Sequence, residues 1–254
     1  MTAVETVTEA PSMAPAPGDA PSALAVEGVR FAWPRSGFAI AVDAFGLAPG
    51  ERVFLQGPSG SGKSTLLSLI CGIVAPDAGT IEVMGAPFSA LSAPRRDRLR
   101  AERFGIVFQM FNLLPYASPI DNVLLPLAFA PERAARVGRE AKGEARRLMA
   151  ALGLPEAVIG AGRAASLSVG QQQRVAVARA LIGSPALVVA DEPTSALDAD
   201  AREAFLTLLF EQTAAAGAAL LMVSHDAALG ARFDRGVALE DIATVARPGG
   251  EGAA

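Results

Sequence analysis

The segment GPSGSGKS at residues 57–64 has the G-x-x-x-x-G-K-[ST] pattern of a loop that binds phosphate. The apolar run Arg52–Gln56 precedes it and is typical of a buried strand, and the helical pattern of Thr65–Ile70 follows it. In this context the glycines let the backbone curl so that successive N–H groups and a helix N-terminus face one anion. We therefore predict a phosphate site formed by Gly57, Ser59, Gly60, Ser61, Gly62, Lys63, Ser64 and Thr65.

Two side chains of this loop carry its chemistry. Lys63 would bring a point charge to the outer phosphates, and the Ser64 hydroxyl can hold Mg²⁺. The chain contains two lysines, the other being Lys142, against 20 arginines. A lysine in so arginine-rich a chain suggests a role that arginine cannot fill. The alternative, a chance glycine turn before a helix, is rare at this lysine content.

Composition excludes several classes of protein. The net charge of −4 argues against a nucleic-acid partner that needs a basic surface. The single cysteine, Cys71, excludes an internal disulfide and a multi-cysteine metal site, and we expect it to be a small buried side chain. No apolar run approaches the ~18–20 residues of a membrane span, and the N-terminus does not have the pattern of a secretory signal.

The order of the segments predicts one α/β domain. Strands are predicted at 24–31, 38–45, 52–56, 80–84, 104–109, 186–190 and 218–223, and helices at 199–216 and 226–232. Such alternation implies a mostly parallel sheet covered on both faces. Residues 110–180 predict an inserted helical lobe with one helix from Glu132 to Leu152. We expect a disordered tail at 1–22, a domain at 23–245 and a flexible C-terminus at 246–254.

An acidic pair follows a second apolar run. Leu187–Ala190 leads into Asp191 and Glu192, and strands of one parallel sheet end at the same edge, where ligands bind. Asp191 would therefore hold Mg²⁺, and Glu192 would accept a proton from an attacking water. The alternative is an acidic helix start favoured by the helix dipole, and the phosphate loop makes it the weaker interpretation. Separately, five arginines within 95–103 predict a solvated helix face, with a partner-binding patch as the alternative.

The segment LSVGQQQR at 167–174, followed by the helical pattern Val175–Leu181, resembles the signature of the ATP-binding-cassette (ABC) ATPases. That signature is LSGGQ followed by R-V-A-x-A-R-A-L, and the resemblance covers about residues 23–240. Val169 stands where the family has glycine, whereas Gly170, which supplies the main N–H to phosphate, is retained. The resemblance implies a P-loop NTPase (RecA-like) fold with a mostly parallel core sheet, an N-terminal antiparallel β subdomain and an inserted helical subdomain at about 110–180.

The resemblance also implies ATP and Mg²⁺ as cofactors and a role for each matching residue. The 57–64 loop matches the Walker A motif and Asp191–Glu192 the Walker B motif, while residues 195–198 match the D-loop. Implied catalytic residues are Glu192, the switch histidine His225, the Q-loop glutamine Gln109 and Lys63. Implied metal ligands are Ser64, Gln109 and Asp191, and implied further nucleotide contacts are Trp33, Ser168, Gly170, Gln171 and Asp198.

The roles assigned to one aromatic residue and to the histidine each have a structural alternative. Trp33 stands where the family stacks an aromatic ring on adenine, but it could equally pack the end of its strand ahead of Pro34. His225 is the chain's one histidine, and such a residue is usually structural. Because it follows a buried strand at the catalytic sheet edge, a contact with the γ-phosphate is the better interpretation.

The resemblance implies two kinds of partner. ATP would lie between 57–65 of one chain and 168–170 of a second copy, in a symmetric homodimer. A separate integral-membrane permease would make the only membrane contact, which implies a cytoplasmic subunit peripheral on the inner (plasma) membrane. The segments FQMFNLLP at 108–115 and IDNV at 120–123 resemble subunits of the lipoprotein-releasing and macrolide-exporting type. We expect the permease groove to include Met110, Phe111, Leu113, Leu114 and Tyr116.

Three other functions share the same motifs. One is an ATPase of a non-transport mechanical complex that regulates cell-wall enzymes, and another is an importer ATPase, whose chains often carry an added C-terminal domain. The third, an ABC ATPase of translation or DNA repair, usually has two cassettes or a coiled-coil insert. The sequence alone does not identify the cargo, because the permease recognises it.

Overall fold

The computed structural model describes residues 21–195 and 197–247. Residues 1–20 of the predicted tail, Ala196 and residues 248–254 lie outside the described residues. Within the described residues the strands are β1 (Leu24–Ala32), β2 (Ala39–Leu47), β3 (Arg52–Gln56), β4 (Ala78–Val83), β5 (Phe104–Val107), β6 (Leu187–Asp191), β7 (Ala219–Ser224), β8 (Arg235–Ala238) and β9 (Ala243–Ala246). The α-helices there are α1 (Lys63–Ile70), α2 (Ala93–Arg103), α3 (Pro119–Leu124), α4 (Pro131–Val137), α5 (Ala141–Ala151), α6 (Glu156–Ile159), α7 (Val169–Leu181), α8 (Ala199–Ala215) and α9 (Leu239–Ile242).

A parallel sheet forms the centre of the molecule, with the strand order β5-β6-β7-β3-β8. Every residue of β7 is buried, as are the first four of β6, because helices cover both faces of such a sheet. The pairings Gln56↔Ser224 and Asp191↔Val223 align the carboxyl ends of β3, β7 and β6. The loops that follow these three strands therefore meet at one edge, as the sequence predicted.

An antiparallel sheet, in the order β4-β1-β2-β9, packs on the first. Strand β1 pairs along its length with β2, from Leu24↔Leu47 to Ala32↔Ala39. The last strand, β9, returns to β2 and pairs Ala246 with Ala39. We had predicted that a flexible C-terminus begins at residue 246, whereas Ala246 is the last residue of β9. The two sheets and the helices confirm the predicted α/β fold with an N-terminal antiparallel part.

The helical lobe contains α3 to α7, and one predicted helix in it is wrong. The helix expected from Glu132 to Leu152 is divided into α4 and α5, joined by a 3₁₀ turn at Gly138–Glu140. Gly138 has φ 69 and ψ −149, a backbone conformation that a residue with a side chain rarely adopts. The apolar periodicity continues through this break, so the pattern alone did not reveal it.

Two other predicted boundaries differ. The strand expected to end at Gln109 ends at Val107, and Gln109 lies in a turn. The segment after β7 is a 3₁₀ helix, Ala227–Arg232, rather than an α-helix. The Asp226 carboxylate accepts from Ala228 N at 3.2 Å and fixes this tighter geometry at its start.

Arg133 joins the helical lobe to the core sheet. It is 1% exposed, and its guanidinium donates to the carbonyls of Phe104 (2.8 Å), Ala180 (2.9 Å) and Ile182 (2.9 Å). The buried Glu102 carboxylate accepts from the Arg133 backbone N–H at 3.1 Å. Burial lowers the pKa of Arg133 to about 10, so the side chain stays charged at neutral pH. The start of α4 is thus anchored to β5 and to the end of α7.

The arginine-rich helix α2 is not the fully solvated face that we expected. Arg96 Nε donates to Gly72 O at 3.0 Å, and Arg100 Nη1 lies 3.4 Å from Cys71 O. These two arginines satisfy carbonyls left free where α1 ends, which residue spacing within α2 could not indicate. The neighbouring Arg95 and Arg98 are exposed, as predicted. Cys71 is buried, also as expected.

Candidate active site

The glycines of the phosphate loop adopt the backbone conformations that let it curve tightly. Gly60 and Gly62 have φ values of 74 and 112, and a Cβ at Gly62 would lie 3.1 Å from the Phe38 ring. Ser61 N donates to Pro58 O at 3.2 Å, which forms the turn of the loop. Helix α1 begins directly afterwards at Lys63. The sequence requires glycine at these positions because other residues would be strained there.

Lys63 lies inside the curve of this loop. It is 8% exposed, and its ammonium donates to Gly57 O at 2.5 Å and to Pro58 O at 2.9 Å. The hydroxyl of Ser61 is buried and has no hydrogen-bond partner within the described residues. The Lys63 ammonium has three N–H donors, and two of them are used in these contacts. The remaining donor and the unpaired Ser61 hydroxyl fit a loop that binds an anionic ligand.

The neighbouring carboxylates Asp191 and Glu192 have different surroundings. Burial and the nearby Glu192 carboxylate raise the pKa of Asp191, and the Lys63 ammonium partly opposes that shift. Glu192 has φ 45, a conformation that costs free energy in a residue with a side chain. Its backbone N–H donates to Val223 O at 2.9 Å, which holds it beside the end of β7.

The Glu192 carboxylate is held by the loop that follows β7. Ser224 Oγ donates to Glu192 Oε2 at 3.0 Å, and His225 Nδ1 lies 2.9 Å from Glu192 Oε1. Which of the two groups donates in this second contact depends on the tautomer of the His225 ring. The His225 side chain is 60% exposed, and that of Glu192 is 12% exposed. A base candidate and a histidine therefore lie together at the sheet edge.

The predicted metal ligands Ser64, Gln109 and Asp191 offer a hydroxyl, an amide and a carboxylate. These hard oxygen donors are the type that Mg²⁺ prefers, and the set therefore fits the ion that the sequence resemblance implies. Ser64 lies in the first turn of α1, Asp191 ends β6, and Gln109 follows β5, the neighbour of β6.

Arg179 of α7 holds the turn that follows Gln109, a contact that the sequence analysis missed. Its guanidinium donates to the carbonyls of Phe111 and Asn112, which have φ values of 57 and 48. Phe111 is consequently buried in the core, so its expected place in a permease groove is wrong. The contacts join residues 67 and 68 positions apart. A buried arginine within an apolar helix was the one signal available.

The signature segment forms the N-terminus of α7. Ser168 Oγ accepts from Gln171 N at 3.3 Å, while Gln171 Oε1 accepts from Ser168 N at 2.9 Å. This capping box leaves Gly170 with open space around it, and Val169 is 51% exposed. Among the described residues, no hydrogen bond joins 168–171 to 57–65. The structure thus does not bring these two predicted nucleotide contacts together within one chain.

Trp33 and Asp198 have local partners as well. Trp33 Nε1 donates to Thr65 Oγ1 at 3.1 Å, and its ring meets Phe31 edge-on with centroids 5.0 Å apart. Trp33 therefore packs its strand end and also lies beside the phosphate loop, 38% exposed. Asp198 accepts from Ala201 N at 2.8 Å and caps α8. Further along, Arg247 Nη2 donates to Gly60 O at 2.8 Å, so the residue after β9 contacts the phosphate loop.

The sequence matches a family model described as "ABC transporter" over residues 42–195. The chain belongs to the ABC transporter family. It is 43% identical over 198 residues to the lipoprotein-releasing system ATP-binding protein LolD 2 of Rhodospirillum rubrum, covering 78% of this chain and 84% of that protein. It is 42% identical over 207 residues to LolD 1 of Caulobacter vibrioides, covering 80% of this chain and 86% of that protein.

Solved ABC cassettes have the same fold. The dimeric structure of MJ0796, a bacterial ABC transporter cassette, superposes with a TM-score of 0.74 at 32% identity, covering 85% of this chain and 93% of that one. A second MJ0796 structure, a dimeric post-hydrolysis state bound to ADP and Pi, gives 0.73. For cbiO1 from Clostridium perfringens, part of the complex cbiONQ, the TM-score is 0.68 at 26% identity, with 81% of this chain and 79% of that one covered.

This ABC ATPase accordingly binds and hydrolyses ATP as the nucleotide-binding subunit of a transporter. ABC cassettes form dimers and work with membrane permease subunits. Across 21–195 and 197–247, every helix is too short or too polar to cross a membrane.

Proposed function

We propose that this ABC ATPase powers a permease of the lipoprotein-releasing type from the cytoplasmic face of the inner membrane. The supporting observation is the 41–43% identity to lipoprotein-releasing ATP-binding proteins over at least three quarters of the chain. The proposed domain is 23–245, with the helical lobe at about 110–180. Release of a lipoprotein from a membrane requires mechanical work, which ATP-driven closing and opening of a dimer can supply.

In the proposed reaction, Glu192 accepts the proton of a water that attacks the γ-phosphorus of ATP. The bond to the β-γ bridging oxygen breaks, and ADP and inorganic phosphate leave. Lys63 neutralises charge on the outer phosphates, and His225, which lies beside Glu192, contacts the γ-phosphate. Mg²⁺, held by Ser64, Gln109 and Asp191, supplies further charge neutralisation when bound.

We further propose that two copies enclose ATP between them. The capping box uses the N–H groups of Ser168 and Gln171, whereas those of Val169 and Gly170 have no acceptor among the described residues. At this helix start, 168–170 of one copy would meet nucleotide on 57–65 of the other. Without nucleotide these N–H groups would face donors of the partner loop unsatisfied, so closure would depend on ATP. Trp33, Gln171 and Asp198 would add contacts at the same interface.

The permease would dock between the helical lobe and the core. A cavity of about 480 Å³ lies there, lined in part by Leu125, Pro126 and Phe129. Phe129 is an exposed large apolar side chain in this lining, and the expected groove residues Met110 and Tyr116 are exposed as well. Phe129 was not among the groove residues predicted from the sequence.

Copurification tests this proposal. The chain, expressed in its native host with Glu192→Gln to preserve the ATP-bound state, is isolated in detergent and its membrane partner identified by mass spectrometry. We expect a permease with a large extracytoplasmic domain, and this permease should stimulate the ATPase activity of the parent chain when a lipoprotein is supplied. Recovery of an importer permease, or of a complex that acts on cell-wall enzymes without transport, would overturn it.

A further inference from the structure

Two ion pairs join helix α8 to the 3₁₀ segment Ala227–Arg232. Arg202 pairs with Asp226 at the start of that segment, next to His225, and Glu203 pairs with Arg232 at its end. The residues are consecutive on α8 and the pairs have opposite polarity. Both pairs hold the same two elements together. The first lies next to His225 of the predicted site, and the second lies at the far end of the 3₁₀ segment.

The first pair also reaches the D-loop. Arg202 Nη2 donates to Leu197 O at 3.4 Å, and Leu197 directly precedes Asp198, the cap of α8. Arg202 Nε is buried and has no hydrogen-bond partner within the described part of the chain. A buried unpaired donor costs free energy, so stability alone does not account for this placement.

Hydrogen bonds continue from Asp226 to the candidate base. The Asp226 backbone N–H donates to Ser224 Oγ at 3.3 Å, and Ser224 Oγ in turn donates to Glu192 Oε2 at 3.0 Å. His225, between them in sequence, contacts the same carboxylate through Nδ1. A continuous chain therefore runs from the D-loop carbonyl through Arg202 and Asp226 to Glu192.

We propose that Arg202 is a positioning residue that sets the geometry of His225 and Glu192 according to the position of the D-loop. The inference rests on the roles proposed above for these two residues. A displacement of the 197–198 segment would move Arg202, and Arg202 would move Asp226 with the loop that carries His225. Contact of the D-loop with a second copy of the chain would thereby be transmitted to the site of hydrolysis.

The test compares Arg202→Met with Arg232→Met, which removes the second pair and leaves the first intact. We expect Arg202→Met to lower kcat about 10-fold while the KM for ATP changes less than about 2-fold, because ATP still binds but the reacting groups are misplaced. Arg232→Met should keep kcat within about 2-fold of the parent value. Its loss of thermal stability should be similar to that of Arg202→Met. Equal kcat values in the two variants would overturn the inference.

Three further variants separate this inference from the proposed function. Arg202→Lys keeps the charge and should restore most of the rate, and Asp226→Asn, which removes the other half of the pair, should match Arg202→Met. In a His225→Ala background, Arg202→Met should slow single-turnover hydrolysis by clearly less than in the parent chain, because residues that act as a unit are not additive and only the route through Ser224 remains. A full additional loss there would overturn action through His225. Normal kcat in His225→Ala alone would refute the role proposed for His225, and Arg202→Met against Arg232→Met would still decide whether Arg202 positions Glu192.

Discussion

Asp191 and Glu192 illustrate how two adjacent carboxylates can have separate functions. Asp191 ends β6, and its pKa is raised by burial and by its neighbour. Glu192 is turned by its positive φ toward Ser224, which donates to it, and toward His225, which contacts it. The sequence predicted the pair from the apolar strand before it. It could not show the backbone turn that separates the two side chains, because that turn depends on contacts with β7.

The raised pKa of Asp191 predicts a gain in stability on neutralisation. In Asp191→Asn the buried charge and its repulsion with Glu192 disappear, so the free energy of unfolding without nucleotide should rise by about 0.5 kcal/mol near neutral pH, partial exposure limiting the gain. Mg²⁺-dependent hydrolysis should be lost. Urea unfolding and ATPase assays measure both. A less stable variant would contradict this account of the site.

The pH dependence of that effect has a definite sign. A carboxyl whose pKa is raised in the folded state binds its proton more tightly in the folded than in the unfolded protein. Its contribution to the free energy of unfolding is therefore largest at low pH. The contribution is lost as pH rises from the unfolded value, 3.8, through the raised folded value. The stability difference between Asp191→Asn and the parent chain should therefore grow with pH across that window and level off above it.

At the scale of elements, the parts that were predicted correctly have local causes. The strand β3, the glycine loop and α1 follow one another without a break, so their order and spacing identify them. The anchor at the start of α4 and the turn at Phe111 depend on distant contacts instead. Arg133 and Arg179 reach carbonyls 29 to 68 residues away, and single-segment patterns do not contain that information. The short strand β9, Ala243–Ala246, was missed because four residues give too little periodicity.

The anchor formed by Arg133 predicts a large loss of stability. Arg133→Met removes the charged donor that the carbonyls of Phe104, Ala180 and Ile182 share. We expect the free energy of unfolding to fall by about 3 kcal/mol, because buried carbonyls then lose their hydrogen bonds to this side chain. Urea denaturation followed by circular dichroism provides the measurement.

Arg136 supplies the control for this anchor. It lies on the same helix, α4, and donates to Gly183 O at 2.9 Å from a partly exposed position. Arg136→Met should cost at most about 1 kcal/mol, the value of one hydrogen bond. Equal losses in the two variants would show that burial of Arg133 is not what holds the lobe.

For the whole molecule, the decisive expectation concerns association. Loss of the base in Glu192→Gln should lower the rate of ATP hydrolysis by ~10²–10⁴-fold while ATP binding remains. Uncleaved ATP should then hold two copies together, so size-exclusion chromatography with MgATP should give a dimer. Glu211→Gln, an exposed change on α8, is the matched control and should hydrolyse normally and elute as the parent chain does. A monomeric Glu192→Gln protein saturated with ATP would refute the enclosed-nucleotide arrangement.

The contact between Arg247 and Gly60 has a practical consequence for handling the protein. Arg247, which directly follows β9, donates to the loop that receives phosphate. A group attached immediately after Arg247 would therefore exert force on that loop. Affinity tags or fluorescent labels joined directly after Arg247 would pull on the cradle and distort measured nucleotide affinities. Labels are better introduced on the N-terminal side of the buried Ala23, which precedes β1.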